Sequence, residues 1–188
     1  MAFRSELSLY KRFEFYSERG IVFAEYWASL PKIDLIPKRQ DFEPKMQISI
    51  LPTFAIHELE APDQITIRLA GTTVVERYGE EITSKNYLRV VEESRRKAAS
   101  RAIFAVCEKP CGMLVRLATK TKSGLVRMNE SLALPMRNND GIANLVYYQS
   151  NSESMGPIYD AQEDQLNLIE VNDRKFIDIG AGVPNLSD

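Results

Sequence analysis

The chain has 188 residues, of which 44% are hydrophobic, 27% charged and 9% aromatic, with nine Gly and nine Pro; this composition suits one soluble domain with a core and excludes collagen, disorder and a disulfide-stapled mini-protein. Lys plus Arg total 24 against 26 Asp plus Glu, a net charge of -2 without the basic excess that nonspecific phosphate binding needs, so nucleic acid is not an expected partner. The longest apolar run, 102–107, is too short for a bilayer span and the first residues form no signal-peptide core, so a cytoplasmic protein with no membrane partner is expected; two Cys and one His give neither a disulfide framework nor a usual zinc set.

In chain order, the apolar residues from Leu7 to Leu30 recur with helical spacing, ended by Pro31. Leu9, Phe13, Tyr16, Gly20, Phe23, Trp27 and Leu30 follow one another at alternating spacings of 4 and 3, a heptad seam that predicts a homodimer interface. The competing account breaks the helix at Gly20 and packs Phe23, Trp27 and Leu30 on the chain's own sheet. Residues 31–37 are too proline-bounded to be regular, and Asp41-Phe42-Glu43-Pro44 predicts a short helix that Pro52 stops.

Thr53 to Glu60 and Ile65 to Gly71 read as a β-hairpin around Pro62-Asp63. Thr73 and Glu76 fit a capping box, Gly79 suits a left-handed helix end, and Gly71, between strand and helix, suits a turn with positive φ. Thr83 or Ser84 is placed to cap a further turn through Leu88. Glu92 to Glu108 reads as a helix with Ala99, Ala102, Ile103 and Val106 as its apolar stripe. Three strands follow, Met113 to Thr121, Leu125 to Pro135 and Ile142 to Gln149, the last two joined through Asp140-Gly141. Beyond Ser150 the pattern weakens to a partly ordered tail with a short strand at 166–171. The divisions read from this are 1–30 as a flanking helix, 31–150 as the domain and 151–188 as the tail. Runs of hairpin-linked strands with the helices inserted as a block give α+β: a five-stranded antiparallel sheet, short helices on one face and a long N-terminal helix.

Few residues offer chemistry. His57, alone on its strand, reads as structural more readily than as a ligand or pH sensor. Cys107 and Cys111 straddle the end of the long helix and read as reduced, buried or half-buried thiols rather than a redox pair. Arg95, Arg96, Lys97 and Arg101 stand opposite the alanine stripe as a solvated face paired with Glu92 and Glu93. Glu130 shares its strand face with Val126, Met128, Leu132 and Leu134, so a carboxylate enters an apolar surface and needs Arg68, Arg116 or a ligand as partner. No nucleophile-base pair, metal set or phosphate loop appears, so no catalytic residue is named and no enzyme is expected.

The element order and the residues Tyr26-Trp27, Leu30-Pro31, Pro37-Lys38-Arg39, Phe42-Glu43-Pro44, Leu51-Pro52, Arg68-Leu69-Ala70-Gly71-Thr72, Gly79-Glu80-Glu81-Ile82-Thr83, Glu130 to Pro135 and Asp140-Gly141 resemble the single-domain PAS proteins of alphaproteobacteria, over residues 22 to 150. Ser84 departs from that pattern, which has Gly there. The resemblance implies a sensory or regulatory module that commonly dimerises through flanking helices and signals by protein contact, and it fixes no cofactor. Neither cysteine has the Asn-Cys-Arg-Phe-Leu-Gln setting of a blue-light flavin adduct, and the long helix lacks the His of haem-binding relatives. A pocket is expected between the helices and the sheet face carrying Ile65, Ile67, Leu69, Met113, Val115, Met128, Glu130 and Leu132, for a mainly apolar small ligand. The alternative is a filled core that serves only dimerisation and binding of a signalling partner.

Overall fold

Ser17 starts the first helix by accepting a hydrogen bond from the Gly20 amide at 3.4 Å in the computed structural model, which describes residues 17–43, 48–121, 124, 126–152 and 166–186. Helix α1 (Glu18–Ser29) therefore has Gly20 in its first turn rather than at a break. Strands β1 (Lys32–Ile33) and β2 (Ile36–Pro37) form a small hairpin where the sequence predicted irregular chain. Its turn residues Asp34 (φ 47°) and Leu35 (φ 70°) take the left-handed pair of a tight hairpin, a conformation no glycine announces. The Arg137 guanidinium donates to the Ile33 carbonyl at 3.3 Å and holds the turn. Between β2 and the sheet the described residues form 3-10 turns at Arg39–Asp41 and Leu51–Thr53, and the start of the expected short helix, 44–47, lies outside the described residues.

The main sheet is antiparallel and has six strands in the order β4-β3-β7-β6-β5-β8, from β3 (Phe54–Ala61), β4 (Gln64–Ala70), β5 (Cys111–Thr121), β6 (Val126–Arg137), β7 (Ala143–Ser152) and β8 (Leu166–Asp178). The sequence reading gave five strands and a short piece at 166–171. The sixth runs on to Asp178 because it is paired along the whole of β5, from Thr121↔Leu166 to Cys111↔Asp178, and cross-strand pairing is invisible to a single-strand pattern. Helix α2 (Thr72–Tyr78), the 3-10 turns Tyr87–Val90 and Glu93–Arg95, and α3 (Arg96–Glu108) connect β4 to β5. Asn86, rather than Thr83 or Ser84, caps the Tyr87 turn by accepting from the Leu88 amide at 3.0 Å. The N-cap of α2 is Gly71, whose carbonyl accepts from the Val74 amide at 2.9 Å with no side-chain cap, in place of the expected Thr73–Glu76 capping box, and Gly79 ends the helix at φ 66° as expected.

Period-two alternation on β6 sends its residues to two different cores. Leu132, Leu134 and Met136 join Phe23, Trp27, Leu30, Phe54, Leu114 and Tyr147 under α1, while Ala133 joins Val146, Met113, Val115, Ala102 and Val106 under α3. Phe23 is 0% and Trp27 2% exposed, and the Trp27 indole donates to the Pro135 carbonyl at 3.0 Å. Phe23, Trp27 and Leu30 thus pack on the chain's own sheet, as in the competing account, each large side chain contributing about 2 kcal/mol by burial, while Gly20 is buried in the first turn of α1. The first half of the predicted seam, Leu9, Phe13 and Tyr16, lies outside the described residues. Helix α1 packs in one core of the sheet and β8 in its ladder, so both are built onto the sheet that residues 31–150 form.

Candidate functional site

Between the sheet and the helices α2 and α3 lies a cavity of about 100 Å³, well above what one water needs and somewhat below the roughly 150 Å³ that holds benzene. Strand register builds its wall in rows. Ser150 on β7 stands opposite Ser131 on β6, Ser131 opposite Val115 on β5, and Val115 opposite Arg174 on β8. The neighbouring row is Tyr148, Ala133, Met113 and Phe176, with Ala55 of β3 opposite Tyr148. Helix α3 lays Ala99, Ala102 and Ile103 over this wall, and the room exists because two of those three side chains are single methyl groups. Val74, Arg77 and Tyr78 of α2 and Tyr87 close the side.

Polar atoms are concentrated along the serine row. Arg77 donates to the Ser150 hydroxyl at 3.0 Å and to its carbonyl at 3.3 Å, the Ser131 hydroxyl donates to Ser150 at 2.8 Å, and the Asn129 amide donates to Thr119 at 2.8 Å. His57 packs in tilted contact with Tyr148 and Tyr87, ring centroids 4.4 and 4.8 Å away. Burial pushes the His57 imidazolium down to about 3, so the ring is neutral at pH 7. Burial likewise raises the Tyr148 hydroxyl well above its ordinary value and Tyr87 to about 12, an effect that the Arg174 charge opposes at both. His57 Nδ1 and the Tyr148 hydroxyl oxygen are buried and have no hydrogen-bond partner among the described residues. An unsatisfied buried polar atom is destabilising by about 1–3 kcal/mol, and both of these belong to residues that line the cavity.

Of the residues expected to line a pocket, Met113 and Val115 do so. Ile65 belongs to the core beneath α3, and Ile67 packs with Val74 and Ile82 beside α2, both without lining the cavity. Leu69 is 41% exposed, because the register slips between Ile56↔Leu69 and His57↔Ile67. Arg68 is the extra residue of that bulge, and the slip turns Leu69 away from the Ile67 face. Met128, Glu130 and Leu132 alternate with the lining residues Asn129 and Ser131 and so occupy the opposite face. There Glu130, 3% exposed, stands directly opposite Arg116, which stands opposite Asp173. That ladder carries Glu130 as part of an ionic row, while Arg68 bonds Glu58 and Glu60 at the other sheet edge.

Sequence reasoning missed His57 as a wall residue, together with Arg77, Tyr87, Asn129, Ser131, Tyr148, Ser150 and Arg174. One signal was present: Asn129 and Ser131 are polar at alternate positions of a strand buried on both faces. Cys107 and Cys111 are buried free thiols, each pushed up to about 12 chiefly by burial, and neither lines the cavity. Arg95, Arg96, Lys97 and Arg101 are exposed on the outer side of α3 and the turn before it. No described helix is long and apolar enough to cross a membrane, and no cluster of metal-ligating side chains occurs among the described residues.

A family model described as a PAS domain matches residues 16–147. Among solved structures, one titled for a flavin analogue in a light-oxygen-voltage domain is 17% identical, covering 59% of this chain and 84% of that one at a TM-score of 0.45. The light state of the Aureochrome1 LOV photoreceptor is 16% identical over 59% of this chain and 88% of that one, at 0.43. An RNA-binding light-oxygen-voltage receptor is 18% identical over 65% of this chain and 36% of that one, also at 0.43. No curated protein matches.

Proposed function

The chain belongs to the PAS domain family, whose members are generally sensory or regulatory modules, and from that premise we propose that it binds a small molecule in the cavity under α3 and reports occupancy through protein contact. One observation carries the reading: two residues that line the cavity, His57 and Tyr148, each hold a buried polar atom that the described chain leaves without a partner. A filled, ligand-free core would pair such atoms or replace them with apolar side chains, whereas a binding site keeps them for its ligand. The rest of the wall is apolar, and a pocket of this kind holds its ligand by burial and orients it by a few polar contacts. Occupancy has a direct route outward, because Ile169, Val171 and Arg174 of the edge strand β8 are part of the wall. A ligand that favours one position of β8 shifts the population of that strand and of whatever surface it presents to a partner.

The test uses chain stripped by unfolding and refolding, to which a protein-free small-molecule extract of the producing cells is added. The extract should raise the melting temperature of the wild type and leave Ala102→Leu, whose added carbons fill the cavity, unmoved. An extract that moves neither protein, or both equally, overturns the reading.

A further inference from the structure

The polar groups of the cavity wall fall into two sets. Along the serine row they are bonded within the chain: Arg77 holds the Ser150 hydroxyl and carbonyl, Ser131 donates to Ser150, and Asn129 donates to Thr119. Arg174, at the end of that row, has an interaction of its own as well. The second set is His57 with Tyr148, and register explains why their polar atoms are left over. Tyr148 on β7 stands between Ala55 on β3 and Ala133 on β6, while His57 on β3 stands between Ile67 on β4 and Val146 on β7. None of those four side chains has a hydrogen-bonding atom, and neither do Ala99, Ala102 and Ile103, the residues that α3 lays over the wall.

The chemistry of this pair narrows what it can bind. Burial holds His57 as the free imidazole and Tyr148 as the phenol at pH 7. A neutral imidazole offers either a proton or a lone pair at Nδ1, according to its tautomer, and a phenol hydroxyl offers both. A ligand hydroxyl also donates and accepts, so it matches either tautomer, whereas a ketone oxygen matches only a donor and an ammonium only an acceptor. An ion set beside the pair would leave water for two neutral groups, a costly arrangement for a buried charge. Hydrocarbon surrounds the rest of the space, from Ala55, Ala102, Ile103 and Met113.

Resting on the reading that the cavity is a ligand site, we propose that its ligand is a small uncharged alcohol, with its hydroxyl at the His57–Tyr148 pair and its hydrocarbon part under α3 against Ala102, Ile103 and Met113. Binding then supplies the hydrogen bonding that the strand register withholds from the pair, and the apolar part is held by burial. A cavity of about 100 Å³, less than the space that holds benzene, limits the ligand to a handful of non-hydrogen atoms.

1-Propanol, propionate and propylammonium are titrated at constant ionic strength into the isotope-labelled full chain and followed through the amide resonances of Ala55, His57 and Tyr148, with 1-chloropropane as a probe that fills space without a hydroxyl. 1-Propanol should shift these resonances saturably and bind about tenfold or more tightly than either ion. Tyr148→Phe, which removes one hydroxyl and keeps the ring, should weaken 1-propanol about fivefold or more and leave 1-chloropropane within about twofold. Either ion binding as tightly as the alcohol, or an alcohol affinity that Tyr148→Phe leaves unchanged or lowers only in step with that of 1-chloropropane, overturns the alcohol assignment while leaving the ligand site standing. No saturable shift with any of the four probes overturns the assignment, and together with no response to the cell extract it overturns the site as well.

Discussion

His57 and Tyr148 meet at a tilt of 45° with ring centroids 4.4 Å apart, and each holds a buried polar atom without a hydrogen-bond partner among the described residues. Two such atoms in one aromatic pair at a cavity wall are a structural expense that a purely structural core would shed. Removing one of them should therefore separate stability from binding. Tyr148→Phe is expected to leave the empty protein unchanged or about 1 kcal/mol more stable in urea unfolding, while weakening retention of the bound molecule about fivefold or more. Loss of stability by more than about 1 kcal/mol would show that the hydroxyl has a structural partner.

The same histidine sets an acid limit. Its folded value, about 3, lies below the ordinary 6.5, so its contribution is complete above pH 6.5 and is lost as pH falls toward 3, where the unfolded chain takes up a proton that the fold refuses. The loss amounts to about 1.4 kcal/mol per pH unit, or roughly 2 kcal/mol between pH 6.5 and 5. Urea unfolding of His57→Gln should show a flatter profile over that interval. Identical slopes for variant and wild type would place the imidazole in water.

Gly71 is needed for space rather than for an unusual backbone. Its φ is -68°, an ordinary value, but a Cβ there would lie 2.1 Å from the Leu51 carbonyl oxygen and 2.5 Å from that of Pro52. Gly71→Ala should lower stability by about 2–3 kcal/mol or more, since both obstacles are backbone. The sequence marks a glycine at this junction but gives the wrong reason, because a close approach of two distant segments leaves no local pattern.

Ser84 is the converse case. It holds φ 66° without being a glycine, and its amide donates to the Ile67 carbonyl at 2.7 Å. Ser84→Gly should raise stability by about 0.5–1 kcal/mol in thermal or urea melts, the left-handed strain removed being larger than the entropy glycine adds to the unfolded chain. A variant less stable than wild type would mean that the serine side chain contributes more than its strain.

Removing residues 1–30 should not give a tidy monomer. It uncovers Phe54, Leu132, Leu134, Leu145 and Tyr147, the sheet face that Phe23 and Trp27 fill, so the shortened chain should aggregate or lose its near-ultraviolet circular dichroism. A soluble, folded protein from Pro31 onward would show that α1 is dispensable.

How much of this was readable in advance follows the range of the forces involved. The hairpins around Pro62-Asp63 and Asp140-Gly141, the alanine stripe of α3 and the left-handed Gly79 are written within a few residues each, and they appear where local chemistry puts them. The cavity wall is not local. It depends on which alternate face of β6 turns toward α3, on a bulge at Arg68 that redirects Leu69, and on β8 supplying Arg174 to a row begun by Ser150. A one-residue error of parity exchanges Ser131 for Leu132 or Glu130, and that exchange is what separates the expected pocket residues from the observed ones.

The central claim, that the cavity is a ligand site, is tested most directly by native mass spectrometry of the chain isolated from cells that produce it, beside Ala102→Leu prepared in the same way. The wild type should carry an added mass of small-molecule size that is released on denaturation, and the cavity-filled variant should not. Wild type and variant both running at the mass of the bare polypeptide, with no small molecule recovered from either, would contradict it.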